Sequence, residues 1–200
     1  MFYDFENALA EKGFTAVCGI DEAGCGPLAG PVYAAAVILD PNDPIEGLND
    51  SKKLTEKKRE ALFPEIQKRA RAWAIASASA KEIDEINILQ ATYLAMERAL
   101  AQLTETPEYV LIDGNRAKDF GLPVKTVVKG DSLSANIAAA SVLAKVTRDM
   151  MMEEAALEYP GYGFEIHKGY GTRAHYDALR ELGASKIHRM TFLKKFYGEK

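Results

Sequence analysis

Ala16-Val17-Cys18-Gly19-Ile20-Asp21-Glu22-Ala23-Gly24-Cys25-Gly26 runs from an apolar segment through two adjacent carboxylates into a loop dense in glycine, with Pro27 and Gly30 close behind. Glycines let the main chain approach a ligand closely, because no Cβ stands in the way. A strand ending in acids before exposed backbone N–H groups suits a metal site that handles phosphate. A strand entering a tight turn with two solvated acids fits the same residues, so the neighbours must decide. Residues 14–21 and 32–39 both read as strands, and residues 22–31 are too rich in glycine and proline for either element. A loop this short carries no crossover helix, so the two strands form an antiparallel hairpin.

Outward from that hairpin, Asp40-Pro41-Asn42-Asp43-Pro44 supplies turn residues. Leu48-Asn49-Asp50-Ser51-Lys52-Lys53-Leu54 then leads into a helix with Thr55 as N-cap and Leu62, Phe63 and Ile66 facing inward. Trp73, Ile75, Ser77 and Ser79 alternate with Ala72, Ala74, Ala76 and Ala78, which predicts a third strand. Ile83, Ile86, Leu89, Tyr93, Met96 and Leu100 keep one helical interval up to about residue 103. Residues 109–112 and 123–128 read as short strands and 137–157 as a long helix, ended by Tyr159-Pro160-Gly161. A helix near residues 174–182 and an apolar, basic end follow. The order predicts an α/β fold: a mixed β-sheet flanked by helices, its hairpin grafted onto strands joined by helical crossovers.

Two hundred residues, 48% of them hydrophobic, suffice for one well-cored domain with a small C-terminal appendage. The first residues carry Asp4, Glu6 and Glu11 rather than a basic-then-apolar leader. No apolar run approaches the roughly 20 residues of a membrane helix, so no membrane partner is expected. Cys18 and Cys25 are too few and too poorly spaced for a zinc site or a disulfide framework. A cytoplasmic protein is expected. The net charge is -4, but residues 161–200 hold eight Lys/Arg against four Asp/Glu, and all three histidines. That asymmetry fits a nucleic-acid face or a solvated surface.

Acids recur beside glycines where strands surface: Asp21-Glu22 before Gly24, Asp113 before Gly114, and Asp131 after Gly130. Ligands bind at such strand ends in open α/β sheets. A carboxylate cluster repels itself unless a cation neutralises it, and oxygen ligands without histidine or thiol select Mg²⁺ or Mn²⁺ over zinc. Neighbouring strand residues face opposite ways. Asp21 is therefore expected as the central ligand, with the strand breaking at Glu22 so that Glu22 reaches the site from the loop. Asp40, Asp43, Asp84, Glu85 and Asp149, the last beside Arg148 on a charged helix face, read as solvated or capping residues.

These residues fall within a longer set of ordered motifs. They include Gly19-Ile20-Asp21-Glu22-Ala23-Gly24-Cys25-Gly26-Pro27-Leu28-Ala29-Gly30-Pro31, Asn49-Asp50-Ser51-Lys52-Lys53-Leu54, Ile112-Asp113-Gly114 and Lys129-Gly130-Asp131. Ala138-Ala139-Ala140-Ser141 with Leu143-Ala144-Lys145-Val146 and Arg148-Asp149, Tyr159-Pro160-Gly161-Tyr162-Gly163-Phe164, His167-Lys168-Gly169-Tyr170-Gly171-Thr172 and Ile187-His188-Arg189 complete it. Through them the chain, from Val17 to Phe192, resembles the bacterial ribonucleases HII, the type 2 ribonucleases H.

The resemblance implies a ribonuclease H-like catalytic domain over residues 1–160 and a helical, substrate-binding extension over 161–200 packed on the same domain. It implies endonucleolytic hydrolysis on the 5′ side of a ribonucleotide, in an RNA–DNA hybrid or embedded in duplex DNA. A non-catalytic nucleic-acid-binding domain of the same fold is the alternative. The implied metal ligands are Asp21, Glu22, Asp113 and Asp131, around two Mg²⁺ or Mn²⁺ ions. Gly24, Cys25 and Gly26 would read the ribose 2′-hydroxyl through the main chain, with Tyr170 stacking on the adjoining sugar. Lys52, Lys53, Lys145 and Lys168 would contact phosphate, and Asn87 would either face the duplex or cap a helix. Cys25 stands where the family usually has arginine, which removes a phosphate-pairing guanidinium and leaves a thiol near the site. The C-terminal Met190-Thr191-Phe192-Leu193-Lys194-Lys195-Phe196-Tyr197 faintly resembles a sliding-clamp-binding box and also fits an amphipathic end docked on its own domain. A monomer is expected.

Overall fold

Gly19, midway along the first strand, sets how closely the sheet and its longest helix approach. A Cβ there would lie 2.2 Å from the main-chain carbonyl carbon of Asn136. The computed structural model describes residues 3–49, 51 and 53–198. Its five strands are β1 (Val17–Ala23), β2 (Val32–Ile38), β3 (Ala72–Ala78), β4 (Tyr109–Asp113) and β5 (Val124–Val127), in the order β3-β2-β1-β4-β5. β1, β2 and β3 pair antiparallel, as the short loop after β1 requires, whereas β4 joins β1 and β5 joins β4 in parallel. This is the mixed α/β sheet expected from the sequence.

The helices are α1 (Asp4–Ala10), α2 (Glu56–Arg69), α3 (Ala80–Ala101), α4 (Ala135–Glu158), α5 (Phe164–His167), α6 (Arg173–Leu182) and α7 (Met190–Leu193). Strand alternation sends Cys18 and Ile20 of β1 to one face, where they pack with Ile83, Ala91, Ala95 and Met96 of α3. On the other face Ala35 and Val37 meet Ala138, Ala139, Val142 and Leu143 of α4, along with Ile66 of α2. Buried Asn136 fixes α4 in place: its amide donates to Val17 O (2.9 Å) and its Oδ1 accepts from Leu39 N (3.0 Å). Such a bridge satisfies strand groups that burial would otherwise leave unpaired.

Thr55 caps α2 as expected. Two other expectations fail. α3 is not one unbroken helix, because Asn87 has φ 65° and ψ 163°. Its Oδ1 accepts from the N–H groups of Leu89 and Gln90 and so caps the second half-helix. This decides for Asn87 the capping role, and Ile86 and Leu89 beside the bend are exposed. The later part of α4 is not simply a charged face either: Arg148 is 1% exposed and Asp149 is also buried. α1 has no counterpart in the sequence reading; it brings the Glu6 carboxylate to the hydroxyl of Ser134, the N-cap of α4.

The chain beyond residue 160 shares a core with what precedes it. Tyr162, Phe164, Leu179 and Leu193 cluster with Leu28, Ala29, Met152 and Ala155. Residues 28–30 are stitched between two of its segments: Leu28 N donates to Gly169 O, Arg189 N to Leu28 O and Gly30 N to Ile187 O, each at 2.8 Å. Among the described residues, no helix is long and apolar enough to cross a membrane.

Candidate active site

Asp21 near the end of β1, Asp113 at the end of β4 and Asp131 in a single 3-10 turn (Gly130–Ser132) each place a carboxylate oxygen within 4.8 Å of the other two. Parallel pairing does much of this work, since Ile20 lies opposite Ile112 and the next residue of each strand is the acid. Gly130 N donates to Asp113 Oδ1 at 2.6 Å, which draws the 3-10 turn onto β4. Burial, and then the charges of Glu22 and Asp113, hold the Asp21 carboxyl well above the usual carboxylate range, against the Glu22 N–H and the Ser141 hydroxyl. Three acids forced together in a half-buried site, with oxygen as the only donor, fit a hard divalent cation.

β1 does not break at Glu22: it continues to Ala23, with Glu22 opposite Ala34 and Ala23 opposite Tyr33. Glu22 therefore follows the alternation to the other side of the strand. Its carboxyl is not among the three that converge, and Cys25 Sγ lies 3.8 Å from its Oε1. It nevertheless lines the same cavity.

That cavity, about 250 Å³, is lined by Asp21 and Glu22, by the loop of Gly24, Cys25 and Gly26, and by Ser51, Ser141, Lys145, Arg148 and Tyr170. The Tyr170 side chain stands over the loop: a Cβ on Gly26 would lie 3.7 Å from its ring, and the residue is exposed. The structure thus brings together a cluster of acids and a glycine loop under an aromatic ring.

The family model described as ribonuclease HII matches residues 18–195. The chain belongs to the ribonuclease HII family. It is 61% identical to a ribonuclease HII of Shewanella amazonensis over 187 residues, 94% of this chain and 90% of that protein. It is 60% identical to one of Dechloromonas aromatica over 176 residues, 88% of this chain and 90% of that protein. Among solved structures, the ribonuclease H2 of Pyrococcus horikoshii superposes with a TM-score of 0.74 at 27% identity, covering 92% of this chain and 99% of that one. The Archaeoglobus fulgidus ribonuclease HII, solved as a complex with PCNA, gives 0.73 at 27% identity over 88% of this chain and 93% of that one.

Within this ribonuclease HII fold the expected phosphate-contacting lysines differ in placement. Lys145 Nζ lies on the cavity and donates to Asp149 Oδ1 (2.7 Å). Lys168 points elsewhere, its ammonium held by Glu153 Oε1 (2.6 Å) and Glu165 O (2.8 Å). Lys53 is exposed and is not part of the cavity lining, while Lys52 and Asp50 lie outside the described residues. Cys25 does not present an exposed thiol. Its Sγ is 3.5 Å from Thr92 Oγ1, and burial, then the Glu22 charge, pushes it up to about 11, so it remains a thiol at neutral pH.

Several residues around the site escaped the sequence reading. Arg148 and Arg189 are 1% and 0% exposed and bind main-chain carbonyls. Arg148 had a signal, since Ala144, Arg148, Met152 and Ala155 continue the buried stripe of α4 at helical spacing. The histidines form a chain whose protonation follows from its ends. His188 Nδ1 accepts from Ser185 N (2.8 Å), so Nε2 donates to His175 Nε2 (2.9 Å), and His175 Nδ1 donates to Tyr170 O (2.9 Å). Neutral imidazoles alone satisfy this order, and it anchors the main chain of Tyr170.

Proposed function

We propose that the chain is a divalent-metal-dependent endoribonuclease. It hydrolyses the phosphodiester on the 5′ side of a ribonucleotide, in RNA–DNA hybrids or embedded in duplex DNA, and leaves a 3′-hydroxyl and a 5′-phosphate. The convergence of Asp21, Asp113 and Asp131 beside the Gly24-Cys25-Gly26 loop, in a chain of this family, carries the reading. Mg²⁺ or Mn²⁺, as a pair, would supply Lewis acidity at the scissile phosphate and an activated water. Asp21, Asp113 and Asp131 would hold these ions, with Glu22 contributing from the adjoining side of β1. The loop accepts the ribose against its main chain, and Tyr170 stacks on the neighbouring sugar, so a 2′-hydroxyl is told from hydrogen at close range. Lys145 stands at the cavity edge to meet a phosphate, with Asp149 holding it there.

The proposed partners are RNA–DNA hybrids and ribonucleotide-containing duplexes, and the proposed state is a cytoplasmic monomer. A sliding-clamp contact through the C-terminus is the finer partner reading, prompted by the PCNA complex of the Archaeoglobus fulgidus relative. In this chain the segment is already engaged. Leu193 is buried, Thr191 and Met190 donate to Asp84, and Phe196 stacks on Tyr176 at 5.7 Å. A clamp would have to displace these contacts, so that contact is weak.

One assay tests the function. An end-labelled duplex with a single ribonucleotide is incubated with Mg²⁺ or Mn²⁺ beside an all-DNA control. Cleavage 5′ to the ribonucleotide, and only there, is expected. An intact ribonucleotide duplex removes the enzymatic reading, and equal cleavage of both duplexes removes ribonucleotide selectivity.

A further inference from the structure

Arg189 is fully buried, yet among the described residues no carboxylate pairs with it. Its three nitrogens go to three carbonyls: Nε to Gly30 O (2.9 Å), Nη1 to Cys25 O (3.0 Å) and Nη2 to Gly24 O (2.6 Å). Burying a cation is costly unless its hydrogen bonds are complete. Here the planar fork spans several acceptors, which the point charge of lysine could not do. Burial, and then the charge of Arg148, pushes Arg189 down to about 10, so the cation persists at neutral pH.

The consequence lies in the peptide planes. In a trans peptide the carbonyl and the following N–H point opposite ways. Drawing the carbonyls of Gly24 and Cys25 inward turns the N–H groups of Cys25 and Gly26 outward, away from Arg189. Among the described residues, neither N–H has a hydrogen-bond partner within the chain. Both residues line the cavity. Arg148 closes the loop from behind: a Cβ on Gly24 would lie 2.1 Å from its Nε, and its nitrogens bind Ala29 O, Pro31 O and Lys168 O.

We propose that Arg189 is a positioning residue for ribose recognition, holding the loop carbonyls inward so that the Cys25 and Gly26 N–H groups stand ready to donate to a 2′-oxygen. The proposal rests on the ribonuclease reading above and names what sets the specificity of that site. Discrimination then depends on a residue 164 positions from Cys25 that never touches the substrate.

The test measures affinity for a duplex with one ribonucleotide and for the all-deoxy duplex of the same sequence, with Ca²⁺ in place of Mg²⁺ to hold turnover. Wild type is compared with Arg189→Lys and Arg189→Met below their thermal midpoints. The ratio of the two affinities should fall at least fivefold in both variants, while affinity for the all-deoxy duplex stays within twofold. A merely structural role lowers the thermal midpoint and leaves the ratio alone. An unchanged ratio in a folded variant, or a wild-type ratio near one, overturns the proposal. Should neither variant fold, amide NMR of the wild type decides. The Cys25 and Gly26 N–H resonances must shift with the ribonucleotide duplex and not with the all-deoxy duplex, and failure to do so overturns it. A wild type that cleaves no ribonucleotide duplex refutes the functional reading instead, which keeps the two failures apart.

Discussion

Asp21 and Arg148 both line the cavity, but Asp21 belongs to a group of three acids, with Asp113 and Asp131, whose oxygens lie within 4.8 Å of one another, whereas Arg148 and Arg189 are two cations buried among carbonyls. Both groups carry like charges, but they are held differently. Each guanidinium nitrogen of the two arginines donates to a main-chain oxygen. The acids repel each other, which is why Asp21 is held well above the usual carboxylate range by burial and then by its acidic neighbours. Like charges crowded together mark where a cation can enter, and charge bound by main-chain oxygens marks what positions the chain around it.

The sharpest way to break this contrast is Asp21→Asn. Turnover should fall at least about a thousandfold, as expected when electrostatic stabilisation at the reacting phosphate is removed. In EDTA the variant should nevertheless melt above the wild type, because one charge of a self-repelling cluster is gone. Mn²⁺ should raise the wild-type midpoint through selective binding to the folded state and should do much less for the variant. Scanning fluorimetry with and without metal checks both. A lower midpoint in EDTA would show that the acids are not in conflict.

The arginine pair predicts the reverse. Arg148→Met strands the carbonyls of Ala29, Pro31 and Lys168 in a buried setting, and the cost should be about 3 kcal/mol in urea unfolding. Mn²⁺ affinity of the folded variant should stay near wild type. A collapse of metal affinity would mean that the two groups are not separable.

The smallest effect concerns pH. Burial, then the neighbouring His175, pushes His188 from its ordinary 6.5 down to about 4. Between those values the unfolded chain takes up a proton that the folded chain refuses. The stabilisation is therefore fully present above about pH 6.5 and is lost as the pH falls toward 4. Between pH 7 and pH 4.5 the wild-type midpoint should drop about 5 °C further than that of His188→Gln. Parallel midpoint curves would show that the neutral histidine chain beneath Tyr170 adds nothing to stability.

Much of the fold was legible because strands and turns write themselves locally. The alternation at residues 72–79, the short loop after Asp21 and the Thr55 cap all report neighbours a few residues apart. The recurrence of acids at Asp21, Asp113 and Asp131 was legible for the same reason, each standing at its own strand end or turn. Asn87 was less so, since a residue that interrupts a helix and caps the next half leaves the apolar spacing almost intact. Glu22 was misread on geometry. The glycines after Ala23 suggested a break, but pairing with Ala34 keeps the strand regular through it. The lysine assignments went by motif position, and Lys168 shows the weakness of that, since Glu153 holds its ammonium away from the cavity.

By itself the sequence determined the hairpin, the crossover order and the identity of the acids, because alternation, glycine content and chain length constrain those locally. Only the tertiary structure decided that three of the acids converge while Glu22 takes the other face of β1 and still lines the cavity, and that Arg189 binds the carbonyls of Gly24 and Cys25. Those outcomes depend on register and on hydrogen bonds between residues far apart in the chain, where sequence pattern carries no direction.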